Sequence, residues 1–174
     1  MITHKENIIS ICCGVLTVSD SRTLASDSSG QYLCNSVQND GHEVLMRKIV
    51  KDDRYAIRAI LSQWIADRDI QVVLITGGTG LTGRDGTPEA VLPLLDKTID
   101  GFGELFRHIS YKEIDTSTLN SRALAGVANG TIIFCIPGST GACRTAWENI
   151  ISKQLDSRTK PCNLIALLPR LQEI

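Results

Sequence analysis

The 174-residue chain is 43% hydrophobic and 21% charged, and 18 basic against 19 acidic residues leave a formal net charge of −1. The apolar content excludes a disordered chain, and the near-zero charge disfavours a nucleic acid or an anionic membrane as partner. No apolar run approaches the ~20 residues that span a bilayer, and the polar start Met1–Asn7 does not resemble a signal peptide. We therefore expect a single domain over residues 1–174 that is soluble and cytoplasmic.

Strand and helix signals alternate in the first part of the chain. The apolar, β-branched run at 8–18 predicts a strand covered on both faces, and residues 43–50 predict the next strand. Between them, residues 31–39 predict a helix that ends at Gly41. A second helix is predicted after residue 50, because apolar residues recur there at helical spacing. These residues are Ile57, Ile60, Leu61, Trp64 and Ile65.

The most strand-like segment, residues 72–75, runs directly into the glycine-rich loop Thr76–Gly80. Thr87 and Pro88 then predict the start of another helix, with Thr87 as its N-cap and Pro88 in the first helical position. This part of the chain therefore continues the alternation of strands and helices.

The last part of the chain repeats the same alternation. Helices are predicted over residues 104–113 and 117–125, followed by a buried strand at 131–136, a turn at 137–141 and a final helix at 142–155. Strands that alternate with helices indicate an α/β fold with a mostly parallel sheet and right-handed crossovers.

Three of the predicted strands end in small polar loops, which are residues 17–20, 76–80 and 137–141. In sheets of this kind, ligands bind beyond the carboxyl ends of the strands. We therefore expect the functional site where the three loops converge.

The segment Gly78–Gly83 formally matches the G-x-G-x-x-G fingerprint of dinucleotide-binding folds. That fingerprint needs glycines that open a helix directly, whereas the next helix signal is at Thr87–Pro88, so a nicotinamide site is a distant alternative. A P-loop has less support still, because no G-K-[ST] follows the glycines.

A tight turn without a ligand is the simpler alternative for this loop. The density of glycine and threonine directly after an apolar strand nevertheless favours phosphate binding, because glycines let several backbone N–H groups point at one anion. The residues expected to bind phosphate or nucleotide are Thr76, Gly77, Gly78, Thr79 and Gly80.

Asp85 follows this loop, where a carboxylate repels a phosphate unless a cation lies between them. Mg²⁺ commonly binds one or two carboxylates together with substrate phosphate oxygens. Asp52, after the predicted strand 43–50, could be the second carboxylate, although Asp52 or Asp53 could also be only the N-cap of the next helix. Asp20 is likewise either a turn residue or a site residue.

The spacing of the six cysteines contains no C-x-x-C pair, and none of the three histidines lies near them in the sequence. Buried free cysteines behave as small hydrophobic residues. We therefore expect structural cysteines and no metal site built from them.

Thr76–Gly80, followed by the segment Asp85–Glu89, resembles the MoaB/MogA family of molybdenum cofactor biosynthesis, to which gephyrin and the plant cofactor-insertion domains also belong. The similarity extends over nearly the whole chain, and the combination of T-G-G-T-G with D-x-T-P-E is highly specific. Further matching stretches are residues 16–20, 29–30, 101–104, 121–123 and 136–139, and residues 54–59, 143–149 and 155–158 are similar to the MoaB branch in particular.

This resemblance implies a three-layer α/β/α sandwich that assembles as a homotrimer or as a homohexamer of two trimers. It also implies binding of molybdopterin, a pterin that carries a dithiolene and a terminal phosphate. In the MogA-like branch the reaction is Mg²⁺–ATP-dependent adenylylation of that phosphate. Aligned motif by motif, the two carboxylates of the family fall on Asp52 and Asp85.

The resemblance also assigns roles within the site. Asp52 and Asp85 would be catalytic and would hold Mg²⁺ on the nucleotide phosphates, while Gly77–Gly80 donates N–H groups. Nucleotidyl transfer depends mainly on positioning and charge stabilisation, and the pterin phosphate is itself the nucleophile. Further pterin or nucleotide contacts are expected from Ser19, Asp20, Arg22, Pro137, Gly138 and Ser139.

Two classes of function stay open at this point: an adenylyltransferase, and a non-catalytic protein of the same pathway that binds molybdopterin and a purine nucleotide, ATP or GTP. An NAD-dependent oxidoreductase is a distant third. For self-association, we expect that Phe102, Phe106 and Ile109 are incompletely covered by the core and mark an interface.

Overall fold

The computed structural model describes residues 8–171, which form a six-stranded sheet with helices on both faces. The strands are β1 (Cys12–Val18), β2 (Glu43–Val50), β3 (Val72–Thr76), β4 (Lys97–Thr98), β5 (Leu124–Ala128) and β6 (Thr131–Ile136). They lie in the order β2-β1-β3-β6-β5-β4. β1 pairs in parallel with β2 and β3, and β3 pairs in parallel with β6, whereas β5 is antiparallel to its neighbours β4 and β6. The predicted α/β fold with a mostly parallel sheet is confirmed.

In the described part of the chain, the α-helices are α1 (Ser28–Asn39), α2 (Arg54–Ala66), α3 (Thr87–Val91), α4 (Asp100–Ile114), α5 (Thr140–Ala146) and α6 (Ser152–Leu155). A π-helical segment joins α5 to α6, and shorter 3-10 segments lie elsewhere. The π-helical segment is Trp147–Ile151, and the 3-10 segments are Leu92–Leu94, Asp115–Asn120 and Ile165–Arg170.

Side chains of the central strands alternate between two apolar clusters, one on each face of the sheet. In β3, Val72 and Leu74 belong to the cluster that contains residues of α1, α4 and α5, whereas Val73 and Ile75 belong to the cluster that contains residues of α2 and α3. The near-continuous apolar runs of β1, β3 and β6 follow from this arrangement, because these strands are covered on both faces. The result is the three-layer α/β/α sandwich.

The helix predicted over residues 117–125 is wrong. The structure has a 3-10 segment at Asp115–Asn120 and then the strand β5, which pairs antiparallel with β6. A Cβ on Gly126 would lie 2.6 Å from the carbonyl oxygen of Lys97 in β4, so the backbone of β5 lies very close to β4 at this point. Pairing with the strands on either side, β4 and β6, therefore overrides the local helical pattern.

The α4 residues expected to be incompletely covered are mostly core residues. Phe102 is 4% exposed and Phe106 1% exposed, and their rings pack against one another and, for Phe102, against Phe134. The exposed apolar side chains of this region lie on other positions of α4 and on the following segment. They are Leu105, Tyr111, Ile114 and Leu119.

All six cysteines are free thiols, and four of them, Cys13, Cys34, Cys135 and Cys143, are buried. Burial raises the pKa of Cys13 to about 12 and that of Cys143 to about 11, so these thiols are protonated and poorly reactive at neutral pH. Cys162 is exposed and Cys12 is half-buried. Within residues 8–171, no group of three or more His, Cys, Asp or Glu side chains is arranged to hold a metal ion.

No helix within residues 8–171 has both the length and the apolar content that crossing a membrane requires. The expectation about a signal peptide concerned Met1–Asn7, which lies outside the described residues.

Gly14 lets α2 approach β1, and this contact gives a test of the fold. A Cβ at Gly14 would lie 2.8 Å from two ring carbons of Trp64, whose side chain is buried. We expect Gly14→Ala to lower the free energy of unfolding by about 1–3 kcal/mol, because the indole must shift within a packed core. Urea unfolding followed by tryptophan fluorescence measures the change.

Gly101→Ala is the matched control. A Cβ at Gly101, in the first turn of α4, meets no atom within 4 Å, so this variant should be unchanged or more stable by up to about 1 kcal/mol. Equal destabilisation by the two substitutions would show that the contact with Trp64 does not limit the packing of α2.

Candidate functional site

A cleft of about 610 Å³ lies beyond the carboxyl ends of the neighbouring strands β1, β3 and β6. The three loops that follow these strands form its floor, and α4 with the following segment forms one wall. Every site residue predicted from the sequence lines this cleft. These residues are Ser19, Asp20, Arg22, Asp52, Thr76, Gly77, Gly78, Thr79, Gly80, Asp85, Pro137, Gly138 and Ser139.

The glycine loop follows β3 and approaches other backbone too closely to carry side chains. Gly77 and Gly78 have φ of +105° and +64°, a region that favours glycine. A Cβ on Gly77 would lie 2.2 Å from the carbonyl oxygen of Val18. A Cβ on Gly78 would lie 2.7 Å from Oδ2 of Asp52 and 2.4 Å from Oγ1 of Thr87. The bare backbone of the loop is therefore held directly against a carboxylate.

The donors of this loop differ from the expectation that residues 77–80 all offer N–H groups. Gly77 donates its N–H to the carbonyl oxygen of Ile136 at 3.0 Å, so the expected donation from Gly77 to a phosphate is wrong in this conformation. The N–H of Gly80 donates to the Asp85 carboxylate. Among residues 8–171, no acceptor takes the N–H groups of Gly78 and Thr79, which leaves these two as donors for an anion.

The start of α3 holds the glycine loop in place through a hydrogen bond. Gly86, not Thr87, is the N-cap residue of α3, and Thr87 is the first residue of the helix. Thr87 is fully buried and donates its hydroxyl to the carbonyl oxygen of Gly77 at 2.8 Å. The predicted capping role of Thr87 is therefore wrong, because its hydroxyl holds the glycine loop. Since α3 begins beyond Gly83, the glycines do not open a helix as a dinucleotide fingerprint requires.

Arg122 fixes the outer part of the loop. Its Nε donates to the carbonyl oxygen of Gly80 at 2.8 Å, and its Nη2 donates to the carbonyl oxygen of Asp85 at 2.8 Å. Its Nη1 pairs with the carboxylate of Glu89 in α3. One guanidinium thus holds both ends of the segment that carries Asp85, which preorganises this carboxylate.

The loop after β6 packs against the glycine loop on its other side. Thr76 donates its hydroxyl to the carbonyl oxygen of Pro137 at 3.1 Å, and a Cβ on Gly138 would lie 3.2 Å from the Cα of Gly77. Ser139 is the N-cap of α5 and accepts the N–H of Ala142 at 3.1 Å. The hydroxyls of Thr76 and Ser139 therefore position two of the three loops that form the floor of the cleft.

Asp52 is not the N-cap of α2, since Asp53 accepts the N–H groups of Tyr55 and Ala56 in that role. Asp52 instead turns toward the cleft, where its Oδ1 accepts the N–H of Gly86 at 3.1 Å. Burial raises the pKa of Asp52, and the charges of Asp85 and Asp20 act in the same direction. The side chain is therefore held in a position that disfavours its own negative charge.

Asp85 is held in its charged form. Its Oδ2 accepts the N–H of Thr82 at 2.8 Å and the hydroxyl of Thr82 at 2.6 Å. These hydrogen bonds lower the pKa of Asp85, against the opposing effect of its partial burial. The two carboxylates thus face one loop with opposite pKa shifts, a pattern that is frequent at functional sites.

Asp20 and Arg22 line the cleft in the loop after β1, where Oδ1 of Asp20 accepts the N–H of Asp52 at 3.2 Å. Asp20 accepts hydrogen bonds from Nη2 of Arg84 at 2.7 and 2.8 Å, and these bonds lower the pKa of Asp20. Arg22 pairs at 3.4 Å with Asp27, a buried carboxylate that is also the N-cap of α1. Asp27 further binds Arg47 at 3.2 Å, so two arginines are fixed by one buried charge.

The arrangement fits a magnesium ion shared with substrate phosphates. Asp52 offers an oxygen, Oδ2, that accepts no hydrogen bond within the described residues. This oxygen lies 2.7 Å from the point where a Cβ on Gly78 would lie. Two carboxylates beside free N–H donors are oxygen ligands of the kind that Mg²⁺ combines with phosphate oxygens. Asp52 and Asp85 are the residues that would hold it.

One wall of the cleft was missed by sequence reasoning. It consists of Phe106, Ser110, Ile114, Ser117, Asn120 and Ser121, and residues Thr17, Val18 and Ala142 also line the cleft. Most of these side chains lie on α4 or on the 3-10 segment, part of which was predicted as a different helix. The only sequence signal for them was the family-like stretch 121–123.

Comparisons with known proteins place the chain among related sequences and structures. A family model described as a probable molybdopterin binding domain matches residues 14–157. Molybdenum cofactor biosynthesis protein B from Escherichia coli (strain K12) is 64% identical over 149 residues, which cover 86% of this chain and 88% of the relative. The protein of the same name from Staphylococcus aureus (strain Mu50 / ATCC 700699) is 49% identical and covers 82% of this chain and 86% of its own length. A crystal structure of the tungsten cofactor synthesizing protein MoaB from Pyrococcus furiosus has a TM-score of 0.78 at 34% identity, covering 94% of this chain and 98% of that one.

The raised pKa of Asp52 predicts a pH-dependent effect on stability. A carboxyl group whose pKa is higher in the folded state favours folding at low pH, and this contribution is lost as pH rises through the folded-state pKa. Asp52→Asn should therefore be more stable than the wild type at pH 7, by less than about 1 kcal/mol. Urea unfolding should show that the difference disappears below about pH 4.

Asp53→Ala is the matched control for this assignment. Because Asp53 caps α2, its replacement should lower the free energy of unfolding by about 1 kcal/mol. An Asp52→Asn variant that is less stable than the wild type at pH 7 would contradict the assignment.

Proposed function

The chain belongs to the molybdenum cofactor biosynthesis family, whose domain is described as probably molybdopterin binding, and we propose that it transfers an adenylyl group from Mg²⁺–ATP to molybdopterin. The observation that carries this proposal is the placement of Asp52 against the unsubstituted backbone of Gly78, and of Asp85 against that of Gly80, in one cleft. Carboxylates directly beside anion donors suit a phosphate that arrives with a divalent cation.

The reaction needs no nucleophile from the protein. An oxygen of the terminal phosphate of molybdopterin attacks the α-phosphorus of ATP, and the bond from that phosphorus to the bridging oxygen breaks to release pyrophosphate. Among residues 8–171, neither a histidine nor a cysteine lines the cleft, which agrees with a substrate that is itself the nucleophile. Catalysis then rests on positioning and on stabilisation of the developing charge.

Different residues of the chain would bind the phosphate, bind the metal ion and position the carboxylate. The N–H groups of Gly78 and Thr79 would hold a phosphate, and Asp52 and Asp85 would bind the metal ion, which when bound offsets negative charge on the phosphate oxygens. Arg122 keeps the segment of Asp85 in place through the carbonyls of Gly80 and Asp85. The polar and apolar wall of α4 supplies the remaining surface of the cleft, which is large enough for a ligand of this class.

A non-catalytic protein that binds molybdopterin and a purine nucleotide is the second candidate. The same cleft would serve both functions, and the choice between ATP and GTP is open in either case. The retention of Asp52, Asp85, Thr87 and Pro88 favours the enzyme, because binding alone does not need a pair of carboxylates in the phosphate site. We further propose the cytoplasm as the compartment, in which free thiols such as those of this chain persist.

Self-association to a homotrimer or homohexamer is part of the proposal. The resemblance to the family supports it, whereas the expected exposure of Phe102 and Phe106 is wrong because both are buried. The same region instead exposes Leu105 by 46%, Ile114 by 49% and Leu119 by 77%. Exposed apolar side chains that form a patch mark association surfaces, and these side chains are the candidates for one.

The adenylylation proposal predicts a loss of turnover when either carboxylate is neutralised. Asp85→Asn and Asp52→Asn should each lower the rate by about 10²–10³, because each removes a charge that positions Mg²⁺. Molybdopterin binding should be retained, since other loops also contact the ligand. The measurement is incubation with molybdopterin, Mg²⁺ and ATP, followed by mass spectrometry of the adenylylated pterin and quantification of pyrophosphate.

Asp69→Asn, an exposed carboxylate before β3 at the opposite end of the sheet, should retain full turnover. Wild-type protein that binds molybdopterin tightly and forms no product would select the non-catalytic function. Turnover within a few-fold of the wild type in both carboxylate variants would reject the role of the acidic pair.

Light scattering tests the assembly. We expect a mass of three or six chains at micromolar concentration, and Leu119→Glu should shift the protein toward smaller species because it places a charge in the apolar region. A monomeric wild type would contradict the proposed assembly. An unchanged mass in both Leu119→Glu and Leu105→Glu would contradict the proposed surface.

A further inference from the structure

The cleft has few cations for a polyphosphate ligand. Within the described part of the chain, Arg22 is the one basic residue that lines it, whereas Asp20, Asp52 and Asp85 are acidic. The outer phosphates of a nucleoside triphosphate carry most of its charge, and a magnesium ion offsets only part of it. Positive side chains beyond the cleft are needed to hold these phosphates.

A second cavity opens from the cleft and contains such side chains. It has a volume of about 470 Å³ and shares Ser19, Asp20 and Arg22 with the cleft. We call it the basic groove, because its lining also includes Arg47, Lys48 and Lys51. It runs along the carboxyl-terminal half of β2, which is an edge strand of the sheet.

Two of these cations, Arg22 and Arg47, are held in position by a buried carboxylate. The carboxylate of Asp27, which is fully buried, binds Nη1 of Arg22 at 3.4 Å and Nη2 of Arg47 at 3.2 Å. One buried negative charge therefore orients two guanidinium groups and leaves them with a net positive charge. Arginines held this way need little reorganisation to bind an anion.

Two further cations, Arg84 and Lys51, interact with the carboxylate of Asp20. Arg84 donates to both of its carboxylate oxygens, with Nε to Oδ2 at 3.1 Å and Nη2 to Oδ1 at 2.7 Å. The positive charge of Lys51 acts on the same carboxylate. A guanidinium that binds a carboxylate through two nitrogens has the geometry that also binds a phosphate.

We propose that the basic groove, together with Arg84, is the subsite for the two outer phosphates of the nucleotide and for the pyrophosphate that leaves. This assignment rests on the proposed adenylyl transfer. When the bond between the α-phosphorus and the bridging oxygen breaks, its electron pair stays on the pyrophosphate, and Arg84, Lys51 and Arg22 stabilise that charge. Arg84 directly precedes Asp85, so one loop supplies both the metal-binding carboxylate and a cation for the leaving group.

The exchange of partners by Arg84 requires only a side-chain rotation. The side chain of Arg84 is 65% exposed and that of Asp20 45% exposed, and exposed ion pairs are weak and readily exchanged. Asp20 pairs with the guanidinium that the outer phosphates would bind.

Isothermal titration with inorganic pyrophosphate in the presence of Mg²⁺ tests the subsite, with AMP as the comparison ligand because it lacks the outer phosphates. Arg84→Gln should weaken pyrophosphate binding by about tenfold, since charge-assisted hydrogen bonds are lost. Lys51→Gln should weaken it less, and both variants should bind AMP as the wild type does. Both side chains are exposed, and urea unfolding of each variant confirms that it folds.

Lys97→Gln is the matched control, because Lys97 is an exposed cation on β4 at the opposite edge of the sheet. Wild-type affinity for pyrophosphate in both groove variants, or an equal loss of AMP and pyrophosphate binding, would overturn the subsite. A selective loss of pyrophosphate binding in a protein that performs no adenylylation would support the subsite and reject the proposed reaction. An active enzyme whose groove variants bind pyrophosphate normally would reject the subsite alone.

Discussion

One conflict of charge governs this site: a loop whose backbone donors suit an anion lies directly against a carboxylate. Oδ2 of Asp52 lies 2.7 Å from the place where a side chain on Gly78 would begin, so no side chain separates the carboxylate from the loop. Burial, and after it the charges of Asp85 and Asp20, raise the pKa of Asp52, so the negative charge of this carboxylate is disfavoured where it lies. A divalent cation resolves the conflict because it binds carboxylate and phosphate oxygens together.

The groups that hold the loop differ from those that would respond to a ligand. Thr87 and Arg122 bind loop carbonyls from buried or half-buried positions, and the Thr76 hydroxyl ties β3 to the neighbouring turn. The side chains of the chain itself therefore hold the loop in place, and a loop held in this way loses little entropy on binding a ligand. Arg84 and Asp20, by contrast, form an exposed pair at the rim, where a change of partner costs little.

The sequence predicted the features that depend on strong local patterns. β1, β3 and β6 are apolar on both faces, and the carboxyl ends of parallel neighbours meet at one edge, so the site residues of three loops could be grouped in advance. The strand β5 was missed because Gly126 and its neighbours are specified by pairing with β4 and β6 and not by a local apolar pattern. Local sequence also could not decide that Asp53 caps α2 and leaves Asp52 for the cleft, since either residue satisfies the capping pattern.

The most direct test of this account is the magnesium dependence of nucleotide affinity. A non-hydrolysable ATP analogue is titrated into the wild type and into Asp52→Asn, with Mg²⁺ and then with a chelator. The wild type should lose affinity on the order of tenfold when the metal ion is removed, whereas Asp52→Asn should lose less, because the repulsive carboxylate is absent. A wild type that binds the analogue equally well in chelator would contradict the charge conflict at Asp52.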